Sequence, residues 1–211
     1  MVRTVLYKIV WVVTYILVWP LIRLFYKVKI GVDPLCYGLR APLILVSNHR
    51  SPFDPWLISI ALPFSVFLRI LPVSIMGSKK FASSGLNLIG KMGVINLVYG
   101  AYGVISLPHF REREDKLRPF TQALEKRGSV LIFPEGRMRK EDDVGHFKEG
   151  VALLHLSTGT PILPSSIKFE GAGWRKTCLI RFGKIMTFGK NHSPSEIIAG
   201  LRNQVENLYF Q

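Results

Sequence analysis

Two short stretches of this 211-residue chain are apolar without interruption, and each ends abruptly in polar residues. Leu43–Ser47 (LILVS) is followed by Asn48 and His49, and Ser129–Phe133 (SVLIF) is followed by a Pro-Glu-Gly turn. A strand that is apolar on both sides needs cover on both faces, which is typical of parallel sheets between helices. The predicted fold class is therefore α/β, with a mostly parallel central sheet flanked by helices.

Other segments agree with this fold class. Helix starts are predicted at Asp54, as an N-cap before Pro55, and at Ser193, where Ser-Pro-Ser-Glu forms a capping box. No repeat or low-complexity linker divides the chain, so residues 31–205 are predicted to form one domain. Further strands are predicted at Gly93–Val98, Ile162–Lys168, Cys178–Phe182 and Ile185–Phe188.

The first thirty residues are more apolar than the rest. Ile9–Ile22 is apolar apart from Thr14, Pro20 interrupts it, and Val18–Tyr26 continues it. A helix from Ile9 to Ile22 is about 21 Å long, shorter than the roughly 30 Å hydrocarbon core. We predict that residues 1–30 form a membrane-associated helical hairpin whose two short helices dip into one leaflet. A single spanning helix is the alternative.

The last six residues, 206–211, have the sequence ENLYFQ. A common viral protease leaves this sequence on a protein when it removes a purification tag. We therefore predict a tag remnant that lies outside the native fold.

Charge and hydropathy together limit the class of partner. The chain has 28 Lys and Arg against 14 Asp and Glu, a formal net charge of +14. This charge favours an anionic partner, such as nucleic acid, acidic lipid headgroups or a phosphorylated substrate. The mean hydropathy is +0.25, whereas nucleic-acid-binding proteins are basic and polar. We therefore predict a membrane-lipid partner and no nucleic acid.

Candidate catalytic residues lie where the two apolar strands end. His49 follows the first strand at its carboxyl end, where open α/β sheets bind ligands. The carboxylate of Asp54 is near enough in sequence to bond one imidazole nitrogen, which leaves the other to take a proton from a hydroxyl. Arg137, after the second strand, can hold a phosphate bidentately. The His–Asp spacing alone is weak, since a surface histidine and a helix N-cap produce it too.

Taken together, these motifs resemble the lysophosphatidic acid and glycerolipid acyltransferase family. The N-H-x4-D (HX4D) pattern begins at Asn48, residues 133–137 are FPEGR, and residues 147–150 (FKEG) and 160–164 (TPILP) resemble later family segments in the same order. The resemblance implies a phospholipid-biosynthesis transferase that moves a fatty acyl group from acyl-CoA or acyl-carrier protein to a lysophospholipid hydroxyl. The acceptor that it implies first is 1-acyl-sn-glycerol-3-phosphate, which gives phosphatidic acid.

The resemblance also implies roles for individual residues. His49 is the expected general base and Asp54 orients it, while Glu135 is expected to organise its loop. The expected substrate-binding residues are Asn48, Lys79, Lys80, Glu135, Gly136 and Arg137.

The second family motif is matched only in part. Residues 90–99 contain the glycines and the apolar strand but lack the arginine that grips the acceptor phosphate. A phosphate held by Lys79 or Lys80, or a lysolipid with another headgroup, therefore stays open.

No cofactor is implied, because acyl-CoA or acyl-carrier protein is a substrate. No metal-ligand spacing occurs, and no acyl-enzyme is expected, since neither Cys36 nor Cys178 has an adjacent histidine. These two unpaired cysteines favour a reducing compartment. The remaining histidines are expected to be structural or exposed: His109, His146, His155 and His192.

The expected location is the cytoplasmic face of a bacterial inner membrane, and the oligomeric state is not predicted. Two other classes stay open. One is a non-catalytic basic protein that binds lipid or nucleic acid. The other is a hydrolase in which His49 and Asp54 activate water.

Overall fold

The computed structural model describes residues 2–77, 100–106, 113–172 and 174–211. Lys79, Lys80, His109 and the strand predicted at Gly93–Val98 lie outside these ranges. The described elements are, in chain order, α1 (Val2–Phe25), β1 (Lys27–Val32), a 3₁₀ helix (Pro34–Gly38), β2 (Ile44–Ser47), α2 (Asp54–Ala61), α3 (Phe64–Ile70), β3 (Val73–Gly77), β4 (Ile105–Ser106), α4 (Arg113–Glu125), β5 (Ser129–Ile132), α5 (Gly150–Thr158), β6 (Ile162–Glu170), β7 (Thr177–Phe182) and α6 (Pro194–Phe210).

The seven described strands form one sheet in the order β1-β7-β6-β2-β5-β3-β4. Neighbouring strands run parallel except β6 and β7, which are antiparallel. The predicted α/β fold with a mostly parallel central sheet is confirmed. β2 lies in the middle, and its four residues are all buried.

Apolar cores cover both faces of this sheet. Leu45 belongs to one core, whereas Ile44 and Val46 belong to the other, because successive side chains of a strand point to opposite faces. Burial on both faces is the property that the uninterrupted apolar runs predict. As β2, β5 and β6 are parallel, the residues that follow β2 and β5 emerge at the same edge.

The strand predicted at Ile185–Phe188 is wrong, since only Met186 pairs there, in a single bridge with Ile162. The reason lies in β6. Pro164 accepts a hydrogen bond from the Gly183 N–H at 2.9 Å but has no N–H to return. The ladder between β6 and β7 therefore breaks at this proline.

The N-terminal region is one continuous helix, so the predicted hairpin with a break at Pro20 is wrong. A proline inside a helix removes one hydrogen bond and costs about 3 kcal/mol. Here the turns on both sides of Pro20 pack against the same apolar core, through Tyr15 before it and Ile22 after it. This packing offsets the lost bond and keeps the helix continuous.

The packed face of α1 is part of the main core. Trp11 is fully buried and donates from Nε1 to the carbonyl of Val73 at 3.0 Å. The hydroxyls of Thr14 and Tyr102 lie 2.6 Å apart. β1 runs across the boundary predicted between residues 30 and 31, and the division of the chain there stays a prediction.

The opposite face of α1 is apolar and exposed. By length and composition alone, Val5–Phe25 is long and apolar enough to cross a membrane, with a mean hydropathy of 2.0. Its outward side chains are each between 46% and 61% exposed: Val5, Leu6, Ile9, Val13, Ile16, Leu17, Leu21, Leu24 and Phe25.

At the other end, the predicted capping box at Ser193 is confirmed. Residues 206–210 continue α6, with Leu208 and Tyr209 buried on the same face as Val205, and Gln211 is its C-cap. The Tyr209 hydroxyl donates to Asp142 at 2.6 Å. The tag interpretation stays a prediction, while the structure gives these residues a packed position in the helix.

Candidate active site

The two predicted motifs meet at the carboxyl edge of the sheet. Asn48 and His49 follow β2 directly, and residues 133–137 follow β5, which pairs with β2. The ring of His49 stacks on the ring of Phe133, with centroids 4.2 Å apart and planes at 20°. The structure therefore brings together residues that lie more than eighty positions apart in the sequence.

His49 and Asp54 form a hydrogen-bonded pair. Nδ1 of His49 lies 2.9 Å from Oδ2 of Asp54, whose carboxylate is completely buried. The His49 side chain is 19% exposed. Its Nε2 has no hydrogen-bond partner among the described residues, so this nitrogen is available to accept a proton.

The prediction that Asp54 caps α2 is wrong, because Phe53 occupies the N-cap position and Asp54 is the first helical residue. Its carboxylate turns back onto the preceding loop instead. Oδ2 also accepts from the backbone N–H groups of Arg50 at 2.5 Å and Ser51 at 2.8 Å, and Oδ1 accepts from the Ser51 hydroxyl at 2.7 Å. These donors fix the carboxylate that faces His49.

Asn48 is buried, and its amide lies inside the sheet. Nδ2 donates to the Ile167 carbonyl and Oδ1 accepts from the Ile167 N–H, both at 2.9 Å. β2 ends at Ser47 while β6 continues, so this amide takes the place of the next backbone pair. The sequence predicted a substrate contact for Asn48, but the structure uses both ends of its amide to fix the start of the His49 loop.

Glu135 joins the His49 loop to the segment between β5 and α5 at this edge. It is 7% exposed, and its carboxylate accepts from the His49 N–H at 3.4 Å and the Gly145 N–H at 3.0 Å. Burial raises the pKa of this carboxyl, and the two N–H bonds partly offset that rise. This position supports the predicted role of Glu135 in organising its loop.

Two arginines beside the motifs, Arg50 and Arg139, have defined partners in the structure. The Arg139 N–H donates to the His49 carbonyl at 2.9 Å, and its guanidinium pairs with Asp143 at 3.0 Å. The Arg50 guanidinium donates to the Glu141 carbonyl. Arg139 and Asp143 lie outside any helix, so their i,i+4 spacing did not predict this pairing.

Gly136 and Arg137 form the exposed tip of the turn after β5. Gly136 has φ of 70°, a left-handed conformation that favours glycine, and donates to the Phe133 carbonyl at 3.0 Å. Arg137 is exposed and makes no hydrogen bond or ion pair within the described ranges. Its charge is therefore available to an anion.

The cysteines and the three other described histidines show no second catalytic arrangement within the part of the chain that the structure describes. Cys36 and Cys178 are buried, and burial raises the pKa of their thiols to about 11 and about 12, which makes poor nucleophiles. His155 is buried and bonds the Thr160 carbonyl at 2.7 Å, whereas His146 and His192 are exposed. In the described part of the chain, no three His, Cys, Asp or Glu side chains are grouped to hold a metal.

The Acyltransferase family model matches residues 38–168, which include both motifs. The chain belongs to this family. A 1-acyl-sn-glycerol-3-phosphate acyltransferase from Brassica napus, the chloroplastic BAT2, is 30% identical over 183 residues, which cover 82% of this chain and 44% of the relative. A probable 1-acyl-sn-glycerol-3-phosphate acyltransferase from Mycoplasma genitalium is 26% identical over 128 residues, 61% of this chain and 44% of the relative.

This chain thus spans less than half the length of the curated relatives that it matches. Among solved structures, the 1-acyl-sn-glycerophosphate acyltransferase PlsC from Thermotoga maritima matches with a TM-score of 0.61 and 16% identity. The match covers 99% of this chain and 95% of that one, so the two share a fold.

Proposed function

We propose that this chain is an O-acyltransferase that moves a fatty acyl group from acyl-CoA or acyl-carrier protein to the hydroxyl of 1-acyl-sn-glycerol-3-phosphate, giving phosphatidic acid. The observation that carries the proposal is the braced His49–Asp54 pair beside the 133–137 turn. The names of the relatives in Brassica napus and Mycoplasma genitalium support this acceptor. A different lysolipid acceptor is the alternative, because residues 90–99 lack the family arginine.

The chemistry follows from the free nitrogen of His49. A lipid hydroxyl is not ionised at neutral pH, so Nε2 takes its proton as the oxygen attacks the thioester carbonyl. The new C–O bond forms, the C–S bond breaks, and the proton passes to the departing sulfur. Asp54 holds Nδ1–H and stabilises the imidazolium between these steps. General-base help of this kind is worth roughly 10²–10⁴-fold in rate.

The other predicted site residues divide into two groups. Asn48 and Glu135 act as positioning residues, because their polar atoms are bonded to backbone groups around His49. Arg137 binds the phosphate, together with Lys79 or Lys80, which lie outside the described residues. Arg50 and Arg139 are already paired with carbonyls and carboxylates, so they hold the loop instead.

The direct test is a panel of lysolipids assayed with both acyl-CoA and acyl-carrier protein as donors. We expect phosphatidic acid to form from 1-acyl-sn-glycerol-3-phosphate faster than any other product. Transfer to a different lysolipid alone would establish the alternative acceptor. Free fatty acid released without an acceptor would instead support the hydrolase, and the absence of any thioester turnover would support a non-catalytic lipid-binding protein.

Removing the charge of Arg137 tests the phosphate contact separately. Charged hydrogen bonds contribute about 1.5–3 kcal/mol, so Arg137→Ala should raise KM for the phosphorylated acceptor by about 10–100-fold. Steady-state kinetics with a neutral 1-acylglycerol serve as the control, because that acceptor has no phosphate to lose. An equal loss with both acceptors would contradict the assignment.

The apolar face of α1 supports a position of the enzyme at the bilayer that contains its proposed substrates. Trp174, in the loop between β6 and β7, is 80% exposed. The Arg175 guanidinium in the same loop donates to the Arg23 carbonyl of α1 at 2.9 Å. Cations near this end of the helix favour anionic lipid by about 1 kcal/mol each. We propose that the protein lies on the cytoplasmic face of a bacterial inner membrane, with the apolar face of α1 in one leaflet.

Two leucines test this surface. Leu17 and Leu24 are 61% and 60% exposed on one side of α1. Burying a leucine in an apolar medium is worth about 1.5–3 kcal/mol, so the double change Leu17→Gln and Leu24→Gln should weaken binding to anionic vesicles by about 100-fold. Sedimentation with vesicles measures this. Activity on detergent-solubilised substrate should be retained, and unchanged vesicle binding would refute the placement.

A further inference from the structure

A second exposed cation lies on the 133–137 turn. The Nζ atom of Lys148 is 2.7 Å from the position that a β-carbon on Gly136 would occupy, and its Cε atom is 3.0 Å from that position. The ammonium group therefore rests directly against the backbone of Gly136. A side chain larger than hydrogen at position 136 would displace it.

The backbone holds Lys148 in this place. Its N–H donates to the Pro134 carbonyl at 2.9 Å, which ties it to the same turn. The preceding residue, Phe147, is 1% exposed and belongs to a core beneath the sheet. α5 begins two residues later at Gly150. The lysine is thus anchored on both sides while its charged end stays exposed.

The cations around the turn differ in whether they already have partners. Arg139 faces Asp143 at 3.0 Å, and Arg50 donates to backbone carbonyls and lies 3.9 Å from Asp142, so both guanidinium groups already have partners. Lys148 and Arg137 are exposed and form no ion pair in the ranges that the structure describes, and Arg137 interacts with Glu141 only at longer range. Arg137 follows Gly136 directly and the Lys148 ammonium lies against Gly136, so both cations lie at the turn beside the His49 loop.

We propose that Lys148 binds a phosphate together with Arg137, and that this phosphate is the monoester of the lysolipid acceptor. A phosphate monoester carries roughly −1.5 to −2 charges at neutral pH, which two cations match. Lys148 would then take the place of the family arginine that residues 90–99 lack. The inference rests on the proposed function. The donor coenzyme A also carries phosphates, so the test must separate the two sources.

The test compares Lys148→Met with the wild-type protein and with Lys126→Met. Lys126 is exposed and precedes β5, at the opposite edge of the sheet from residues 133–137. In Lys148→Met we expect KM for 1-acyl-sn-glycerol-3-phosphate to rise about 10–100-fold with kcat nearly unchanged, as for the loss of a charged hydrogen bond. KM for a neutral 1-acylglycerol should not change. Lys126→Met should match wild type, and Lys148→Arg should restore most of the affinity.

Two kinetic outcomes would overturn the proposal. One is an unchanged KM for the phosphorylated acceptor. The other is a higher KM for acyl-CoA, measured at a saturating concentration of acceptor, with no change in KM for acyl-carrier protein. That result would assign Lys148 to a phosphate of the donor coenzyme A.

A binding measurement keeps this test independent of turnover. Binding of 1-acyl-sn-glycerol-3-phosphate is compared between the His49→Ala variant and the double variant with Lys148→Met. A 10–100-fold weaker affinity in the double variant supports the phosphate site. This conclusion holds even if the wild-type protein transfers no acyl group to this acceptor, a result that would contradict only the proposed function. Equal affinities would remove Lys148 from the site.

Discussion

Replacing His49 with alanine should lower kcat for acyl transfer by about 10²–10⁴-fold, the usual contribution of a positioned general base. The fold should persist, because the imidazole is only one of the donors that bond the Asp54 carboxylate. The Arg50 N–H, the Ser51 N–H and the Ser51 hydroxyl remain in place. The alanine removes a ring that stacks on Phe133 at a partly exposed edge, so the effect on stability is small.

The measurement is acyl transfer at saturating substrate, with thermal unfolding in parallel. His192→Ala is the matched control, because His192 is an exposed imidazole near the amino end of α6 whose Nδ1 bonds the Gly189 carbonyl. That variant should keep wild-type activity. A His49→Ala protein that transfers acyl groups at the wild-type rate would rule out the proposed mechanism.

The central part of the fold could be predicted because burial on both faces leaves a mark in the sequence. Residues 43–46 and 130–133 are apolar at every position, and no soluble helix or edge strand requires that. β1 was not predicted, because its sequence has no such apolar run. Its sequence, KVKIGV, alternates lysine with apolar residues and contains glycine, and as an edge strand it buries little of itself.

Local rules failed where tertiary contacts overrode them. Pro20 predicts a helix break, yet packing on both sides of it keeps α1 continuous. Asp54 before Pro55 predicts an N-cap, yet its carboxylate accepts hydrogen bonds from the His49 loop instead. The amide of Asn48 bonds Ile167, more than a hundred residues away. A pattern of neighbouring residues cannot show a partner as distant as Ile167. The sequence therefore indicated which residues are important at this edge more readily than what each of them does.

Changing Asp54 to asparagine should lower kcat by about 10²–10⁴-fold while leaving stability nearly intact. The amide oxygen can take the place of Oδ2 and accept from His49 and the backbone N–H groups. The amide nitrogen then faces the Ser51 hydroxyl, which can accept as well as donate. Each group that now bonds the Asp54 carboxylate keeps a partner, and what disappears is the negative charge that stabilises the imidazolium.

Asp54→Ala separates that charge effect from the structural one. It leaves the Arg50 and Ser51 N–H groups without their acceptor at a partly buried position, which costs about 1–3 kcal/mol. For a chain of this size, that corresponds to a fall in Tm of roughly 2–10 °C. Both variants should lose activity to a similar degree, but only the alanine variant should melt early. If Asp54→Asn stayed fully active, the carboxylate would serve only to shape the loop, and His49 would act without a charged partner.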